Sequence, residues 1–326
     1  MANELSVIAP RGIARTFDSA ELYQEWLADM QDRVKAGELA ATTAATYARG
    51  MKRFLEWLEG ENLTSVGVQA IRRWKAALVA AGHKPAGVNV FYAGVKSFFT
   101  WAVSERGLAY SPTAGEKGAK RARTRRHKRE ALTDNEVLRV LAQPSQATVS
   151  GKRDRAMLYL MAYTGIRSVE IQRATVGDLH ANGRLKLMVQ GKGHDEPDEP
   201  VFIVNQGALD ALYDWLAVHP GADNPAAPLF CGLGNRNNGR ALSMRTIREL
   251  VKGYYKAAGI RDERKTTHSL RHSLVTNLIR HGAAPTEIMT VTRHRSLDTL
   301  LSYAHELARD ERPAELLVDY SNGADK

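Results

Sequence analysis

Between Lys117 and Arg129 the chain carries eight lysines and arginines and not one acid. Like charges at that density repel one another and resist desolvation, so the stretch cannot enter a core and is expected to be extended when free. Turn residues introduce it, in "SPTAGEKGAK". A chain interrupted in this way must build a separate core on each side. At 326 residues there is enough length for two domains of ordinary size. The expected layout is a tail over 1–14, a helical domain over 15–112, a basic linker over 113–130, a second domain over 131–310 and a C-terminal tail over 311–326.

The first domain has a helical rhythm. "FDSAELYQEWLADMQDRVKAG" offers Asp18 or Ser19 as an N-cap and spaces Leu22, Trp26, Leu27 and Met30 along one face. "TAATYARGMKRFLEWLEGEN" repeats the pattern with Tyr47, Met51, Phe54, Leu55 and Leu58. "VGVQAIRRWKAALVAAG" and "VNVFYAGVKSFFTWAVSERG" fit two more helices, the last closed by Gly107. The aromatic stripe on these faces reads as core packing. Lys52, Arg53, Arg72, Arg73, Lys75 and Lys96 fall largely off it and form a candidate phosphate-tracking surface.

The second domain mixes types. Thr133 and Glu136 form a capping box before "NEVLRVLAQ". "KRDRAMLYLMAYTGIRSVEIQRATVGDL" reads as two helices broken at Thr164-Gly165. "GRLKLMVQGKGHDEPDEPVFIV" reads as a hairpin of two short strands. "HPGADNPAAPLFCGLGNRNNG" is a Pro/Gly/Asn loop, and Ser243 to Leu307 is helical with breaks near Gly259 and Gly282. The fold class is therefore mainly α, with a small β-hairpin or sheet in the second domain.

Charge and cysteine content narrow the function. The 46 Lys+Arg against 36 Asp+Glu leave a formal charge of +10, which favours an anionic partner, most often nucleic acid. No apolar run reaches the roughly 18–20 residues that a membrane span needs, and the N-terminus lacks a signal-peptide core, so no membrane association is expected. The single cysteine, Cys231, excludes an internal disulfide framework and suits a reducing cytoplasm.

The residues that carry chemistry are scattered. "KTTHSLRHSLVTN" puts His268 and Arg271 at i, i+3, on one helical face. His268 and His272 match the ends of a zinc-binding HExxH helix, but Ser269 stands where that motif needs glutamate, so no metal is expected. "TGIRSVEI" places Arg167 and Glu170 at i, i+3 after a helix break. "QGKGH" places Lys192 between glycines of the hairpin, and "TVTRHRSLDTLLSYAHE" places His294 nine residues before Tyr303.

In that order, Arg167, Glu170, Lys192, His268, Arg271, His294 and Tyr303 resemble the tyrosine recombinase, or phage-integrase-like, family. The C-terminal signature is specific. The N-terminal helices resemble the family's core-binding domain by pattern. The resemblance implies the tyrosine recombinase fold of the simple Xer/Cre type, without a separate arm-binding domain, and makes residues 311–326 a candidate for exchange between protomers. It implies Tyr303 as nucleophile, with Arg167, Lys192, His268, Arg271 and His294 around it and Glu170 in support. His272 and His305 are left as bystanders or as residues that support the site from behind. The implied reaction is cleavage and rejoining of DNA through a covalent 3′-phosphotyrosyl link, by four protomers that join two sites through a Holliday junction. The implied partner is duplex DNA with inverted half-sites, gripped in addition by Lys117, Lys120, Arg121, Arg123, Arg125, Arg126, Lys128 and Arg129. The family implies a place on a mobile element for some members.

The chemistry agrees with that set. Two arginines can offer forked donors to a phosphodiester and stabilise the charge that builds in the transition state. A phenol with a pKa of about 10 is an accessible nucleophile and leaving group. A lysine ammonium can protonate a departing 5′-oxygen. The phosphotyrosyl link keeps the energy of the broken bond, so no cofactor is expected. Two features depart from the family. Arg293, in "VTRHRS", stands where relatives usually have the glycine of a Leu-Gly-His run. The hairpin turn carries Asp195, Glu196, Asp198 and Glu199, acids expected either to repel DNA or to make a protein contact there. Rival readings are a type IB topoisomerase-like strand transferase, a DNA-binding protein on the same scaffold and a metal-dependent nuclease.

Overall fold

The computed structural model describes residues 18–120, 130–191, 196–234, 238–294, 296–297 and 300. Most of the basic stretch, Arg121 to Arg129, lies outside them, as do the hairpin turn over 192–195 and everything from 301 onward. The chain divides into two compact units near residue 123.

The N-terminal unit is built on four helices: α1 (Ser19–Lys35), α2 (Ala41–Leu58), α3 (Val68–Ala80) and α4 (Pro85–Arg106). Asp18 caps α1 by accepting the Ala20 amide at 2.8 Å. Pro85 opens α4, and Gly107 closes it at φ 70°. The buried faces meet in one aromatic core. Trp74 stands edge-on to Phe54 at 5.0 Å and Trp26 to Phe98 at 5.6 Å, geometries that suit the ring quadrupoles. Helices α2 and α4 approach so closely that Gly50 faces the Phe91 carbonyl and Gly94 faces the Tyr47 carbonyl. A Cβ added to either would lie 2.4 or 2.2 Å from that oxygen.

The residues expected to begin a free linker are docked instead. Glu116 accepts from Arg72 at 2.6 Å and from Lys75 at 2.9 Å, both on α3. Asn89 on α4 pairs with both the amide and the carbonyl of Ala119. Hydrogen bonds from Arg72 and Lys75 hold the Glu116 carboxyl far below its usual range, at about 2. A carboxyl depressed in the folded state stabilises it above the ordinary carboxylate range, and this anchor weakens only as pH falls toward that value. Arg72 and Lys75 thus have a structural partner. Lys52, Arg53, Lys96, Lys117 and Lys120 lie exposed on this unit, Arg53 stacked over Phe91 at 4.9 Å.

The C-terminal unit contains α5 (Asp134–Leu141), α6 (Val149–Thr164), α7 (Ser168–Arg173), β1 (Leu179–His180), β2 (Lys186–Val189), β3 (Glu199–Phe202), α8 (Gln206–Leu216), α9 (Met244–Ala257), α10 (Thr267–Arg280) and α11 (Pro285–Thr292). The strands form an antiparallel sheet in the order β1-β2-β3, with Leu187 opposite Val201 and Val189 opposite Glu199. Helix α6 runs through the centre, buried on nearly every side, with Met157, Leu158 and Met161 in the same core as Trp215, Phe230 and Leu270. Its two buried charges, Arg153 and Asp154, are satisfied internally. Arg153 donates to the Asp154 carboxylate and the Cys231 carbonyl, and Tyr254 donates to Asp154. Thr133 and Glu136 make the expected capping box. Among the described residues no helix is long and apolar enough to cross a membrane.

The α2–α4 contact yields a test. Gly94→Ala forces a methyl against a backbone oxygen and should destabilise the N-terminal unit by about 1–3 kcal/mol. Gly87→Ala, in the same helix with no atom within 4 Å, should be neutral or stabilising by up to about 1 kcal/mol. Denaturant melts of both variants check this; equal behaviour would mean that the helices do not pack at these glycines.

Candidate active site

Three helix ends converge in the C-terminal unit. Helix α6 ends at Gly165, whose φ of 62° turns the chain sharply into α7. Arg167 is the N-cap of α7, and Glu170 closes the cap by accepting the Arg167 amide at 2.8 Å through Oε2. The other carboxylate oxygen accepts from Arg167 Nη1 at 2.7 Å. Glu170 is 1% exposed, so this pair is held in the interior while the arginine side chain remains 28% exposed. A guanidinium fixed from behind keeps its outer edge in one orientation.

The second arginine comes from α10. Thr266 caps that helix by accepting the His268 amide, which puts His268 in the first turn and Arg271 one turn on. Arg271 is 7% exposed. It donates through Nη1 to the Gly165 carbonyl and through Nη2 to the Thr292 carbonyl. These two oxygens belong to the C-terminal ends of α6 and α11, where carbonyls lack helical partners and the helix dipoles are negative. A single buried cation therefore closes both ends. His268 is half-buried, and His272, one turn further, is buried at 6%.

The third end is that of α11. Thr292 is its last residue, and its hydroxyl lies 2.8 Å from Nδ1 of His294, fixing that ring. Arg293 between them is left-handed, with φ 55° and ψ 44°. A side chain there costs about 1–2 kcal/mol relative to glycine. The Arg293 carbonyl accepts from Arg167 Nη2 at 2.9 Å. Its side chain turns inward, donates to Glu170 Oε2 at 2.6 Å and lies 3.5 Å from Glu199 Oε2 at the start of β3. Burial pushes the Arg293 guanidinium below its usual range, and Glu170 works against that shift.

Arg167, Glu170, Arg271 and His294, distant in sequence, are thus joined through the turns at 165–167 and 292–294. Lys192 and Tyr303 lie outside the described residues, as do His305 and Arg121, Arg123, Arg125, Arg126, Lys128 and Arg129. Sequence reasoning missed two members. Thr292 orients His294, and the only signal was a hydroxyl two residues upstream. Arg293 was visible only as a substitution for glycine. Glu199, read as a repelling acid, faces Arg293. Among the described residues no cluster of three or more His, Cys, Asp or Glu could hold a metal ion.

Residues 130–309 match the model of the phage integrase family, and residues 24–106 match that of the phage integrase N-terminal SAM-like domain. The chain belongs to the phage integrase family. This tyrosine recombinase is 30% identical over 301 residues to tyrosine recombinase XerC of Rhodospirillum centenum, covering 90% of this chain and 84% of the relative. It is 28% identical over 317 residues to a tyrosine recombinase of Synechococcus elongatus, covering 93% and 94%. In fold it is similar to the XerH site-specific recombinase in a post-cleavage complex, with a TM-score of 0.68 at 19% identity over 92% and 91% of the two chains. As a tyrosine recombinase it is an enzyme that cuts and rejoins DNA strands.

The shared carboxylate generates a prediction. Glu170→Ala leaves two buried or half-buried guanidinium groups without their common partner and should cost about 3–5 kcal/mol. Glu196→Ala, at an exposed position of the same unit, should stay within about 0.5 kcal/mol. Thermal unfolding of the two variants measures the difference. A Glu170 variant as stable as the Glu196 variant would remove the carboxylate from this role.

Proposed function

We propose that this recombinase exchanges DNA strands at a specific duplex site with inverted half-sites, using Tyr303 as nucleophile. The observation that supports it most is the meeting of Arg167, Arg271 and His294 in one hydrogen-bonded network. In this reading Arg167 and Arg271 clamp the non-bridging oxygens of the scissile phosphate, and His294 donates to one of them. The Tyr303 oxygen attacks phosphorus, its proton passes to His268, and the bond to the 5′-oxygen breaks. Lys192 gives a proton to that oxygen as it leaves. The 3′-phosphotyrosyl link is then resolved by attack of a 5′-hydroxyl from the partner strand, which restores the tyrosine. Glu170 orients Arg167 and touches no DNA.

The same reading assigns residues 15–112 to core binding, 113–130 to a basic linker and 131–310 to catalysis. The exposed Lys52, Arg53, Lys96, Lys117 and Lys120, together with Arg121, Arg123, Arg125, Arg126, Lys128 and Arg129, would neutralise phosphates along the duplex. Assembly is proposed as a tetramer on DNA through a Holliday junction; lambda integrase, similar in fold, has been crystallised as a tetramer bound to a Holliday junction. The place of action is the cytoplasm, and the natural context a mobile element.

Replacing Tyr303 tests the reading. Tyr303→Phe should bind a cognate site as the wild type does and form no covalent DNA–protein complex on a denaturing gel. A covalent complex from that variant would move the nucleophile elsewhere, with Tyr320 the next tyrosine to examine.

A further inference from the structure

A threonine hydroxyl has one hydrogen to give, and Thr292 has two neighbours for it. Its Oγ1 lies 2.6 Å from the Ile288 carbonyl, one turn back in α11, and 2.8 Å from Nδ1 of His294. Two oxygens that close need a hydrogen between them, and a carbonyl has none to offer, so the hydroxyl donates to Ile288. Thr292 is 0% exposed, which leaves solvent no part in the arrangement. Toward His294 the same oxygen can then only accept, and Nδ1 must carry a hydrogen. That choice defines the other ring nitrogen. While His294 is neutral, its one ring hydrogen sits on Nδ1 and Nε2 can only accept. Nε2 gains a hydrogen only when the ring becomes an imidazolium.

We propose that Thr292 is a positioning residue that fixes the hydrogen of neutral His294 on Nδ1, so that the ring donates to the scissile phosphate only in its charged, doubly protonated form. The inference rests on the reading that places His294 on a non-bridging oxygen, and it adds the charge state in which the ring works there. A donor that carries charge makes the stronger bond to a phosphate oxygen. The charged groups around the turn are known. Arg167 of the α7 cap donates to the Arg293 carbonyl, and Arg271 of α10 donates to the Thr292 carbonyl. Arg293 turns inward to Glu170, with Glu199 beyond it, and His268 and His272 share α10 with Arg271. Cations outnumber carboxylates here among the described residues, and a bound phosphodiester supplies negative charge that the second ring proton answers. Because the charged ring is the donor, its contribution is present below the ring's pKa and is lost as pH rises through it.

Two measurements on the full-length protein test this. Nitrogen NMR of the protein labelled in its histidine rings, with His294→Gln to assign the signal, should find the neutral His294 ring protonated at Nδ1. Thr292→Ser keeps the oxygen and should show the same form, whereas Thr292→Val keeps the shape, loses the oxygen and should show a mixture of both. The second measurement is single-turnover cleavage against pH. The wild type and Thr292→Ser should slow by about tenfold or more as pH rises through the range where histidines lose their second proton, about 6.5 give or take a unit. The amide of His294→Gln donates without titrating. That variant should cleave within about tenfold of the wild type below this range and show no such fall. Thr292→Val should show a shallower fall, because its neutral ring can place the hydrogen on Nε2; if it folds poorly, the serine and glutamine variants carry the test. A neutral wild-type ring protonated at Nε2, or a fall that survives intact in His294→Gln, overturns the proposal while His294 keeps its place on the phosphate. If His294→Ala cleaves like the wild type at every pH, the ring is not on the phosphate, and that reading falls and takes this inference with it.

Discussion

The buried guanidinium of Arg271 is the interaction on which the C-terminal unit depends. It donates to the carbonyls of Gly165 and Thr292, the ends of two helices that approach from different parts of the chain. An arginine at this depth would be costly alone, and a carbonyl at a buried helix end would be costly unmet. Each removes the other's penalty, and the negative ends of two helix dipoles favour a cation between them. Because the donors form a rigid fork, the turns at 165–167 and 292–294 are held at a fixed separation. Arg167 and His294 emerge from those turns, so their placement follows from that of Arg271.

A second line of charge extends the arrangement to the sheet. Arg167 and Arg293 share Glu170, and Arg293 faces Glu199. Positive groups gathered this closely repel one another. Interleaved carboxylates offset that repulsion in the free enzyme. Glu170 is almost fully buried and so is kept back from the face that the proposed clamp presents to DNA. A site of this kind is preorganised, with little reorganisation left for the moment of reaction.

Much of this was legible in the sequence wherever a local rule operates. Asp18, Thr133 with Glu136, and Gly107 mark helix ends by their own hydrogen-bonding or conformational chemistry, and the structure has them there. The alternation around Lys186–Val189 and Glu199–Phe202 showed the hairpin. Other features escaped because their cause is not local. Strand β1 spans two residues, too few for a period to appear. Helix α8 went unread beside the Pro/Gly/Asn loop that follows it. The docking of residues 113–119 depends on Glu116 meeting two bases on α3, over 40 positions earlier in the chain. The residues of the site could be ordered along the sequence, but a sequence does not give the direction of a side chain. That is why Arg293 read as an awkward substitution and Glu199 as an acid turned toward DNA.

The central claim is that Arg167 and Arg271 act as one unit because the second holds the turn that carries the first. A double-mutant cycle on the single-turnover cleavage rate measures this, with Arg167→Lys, Arg271→Lys and the two combined. Residues that act together are strongly non-additive, so the double variant should fall no more than about tenfold below the slower single one. If the two losses multiply instead, the arginines contribute independently and the coupling through Gly165 and Thr292 does not govern the site.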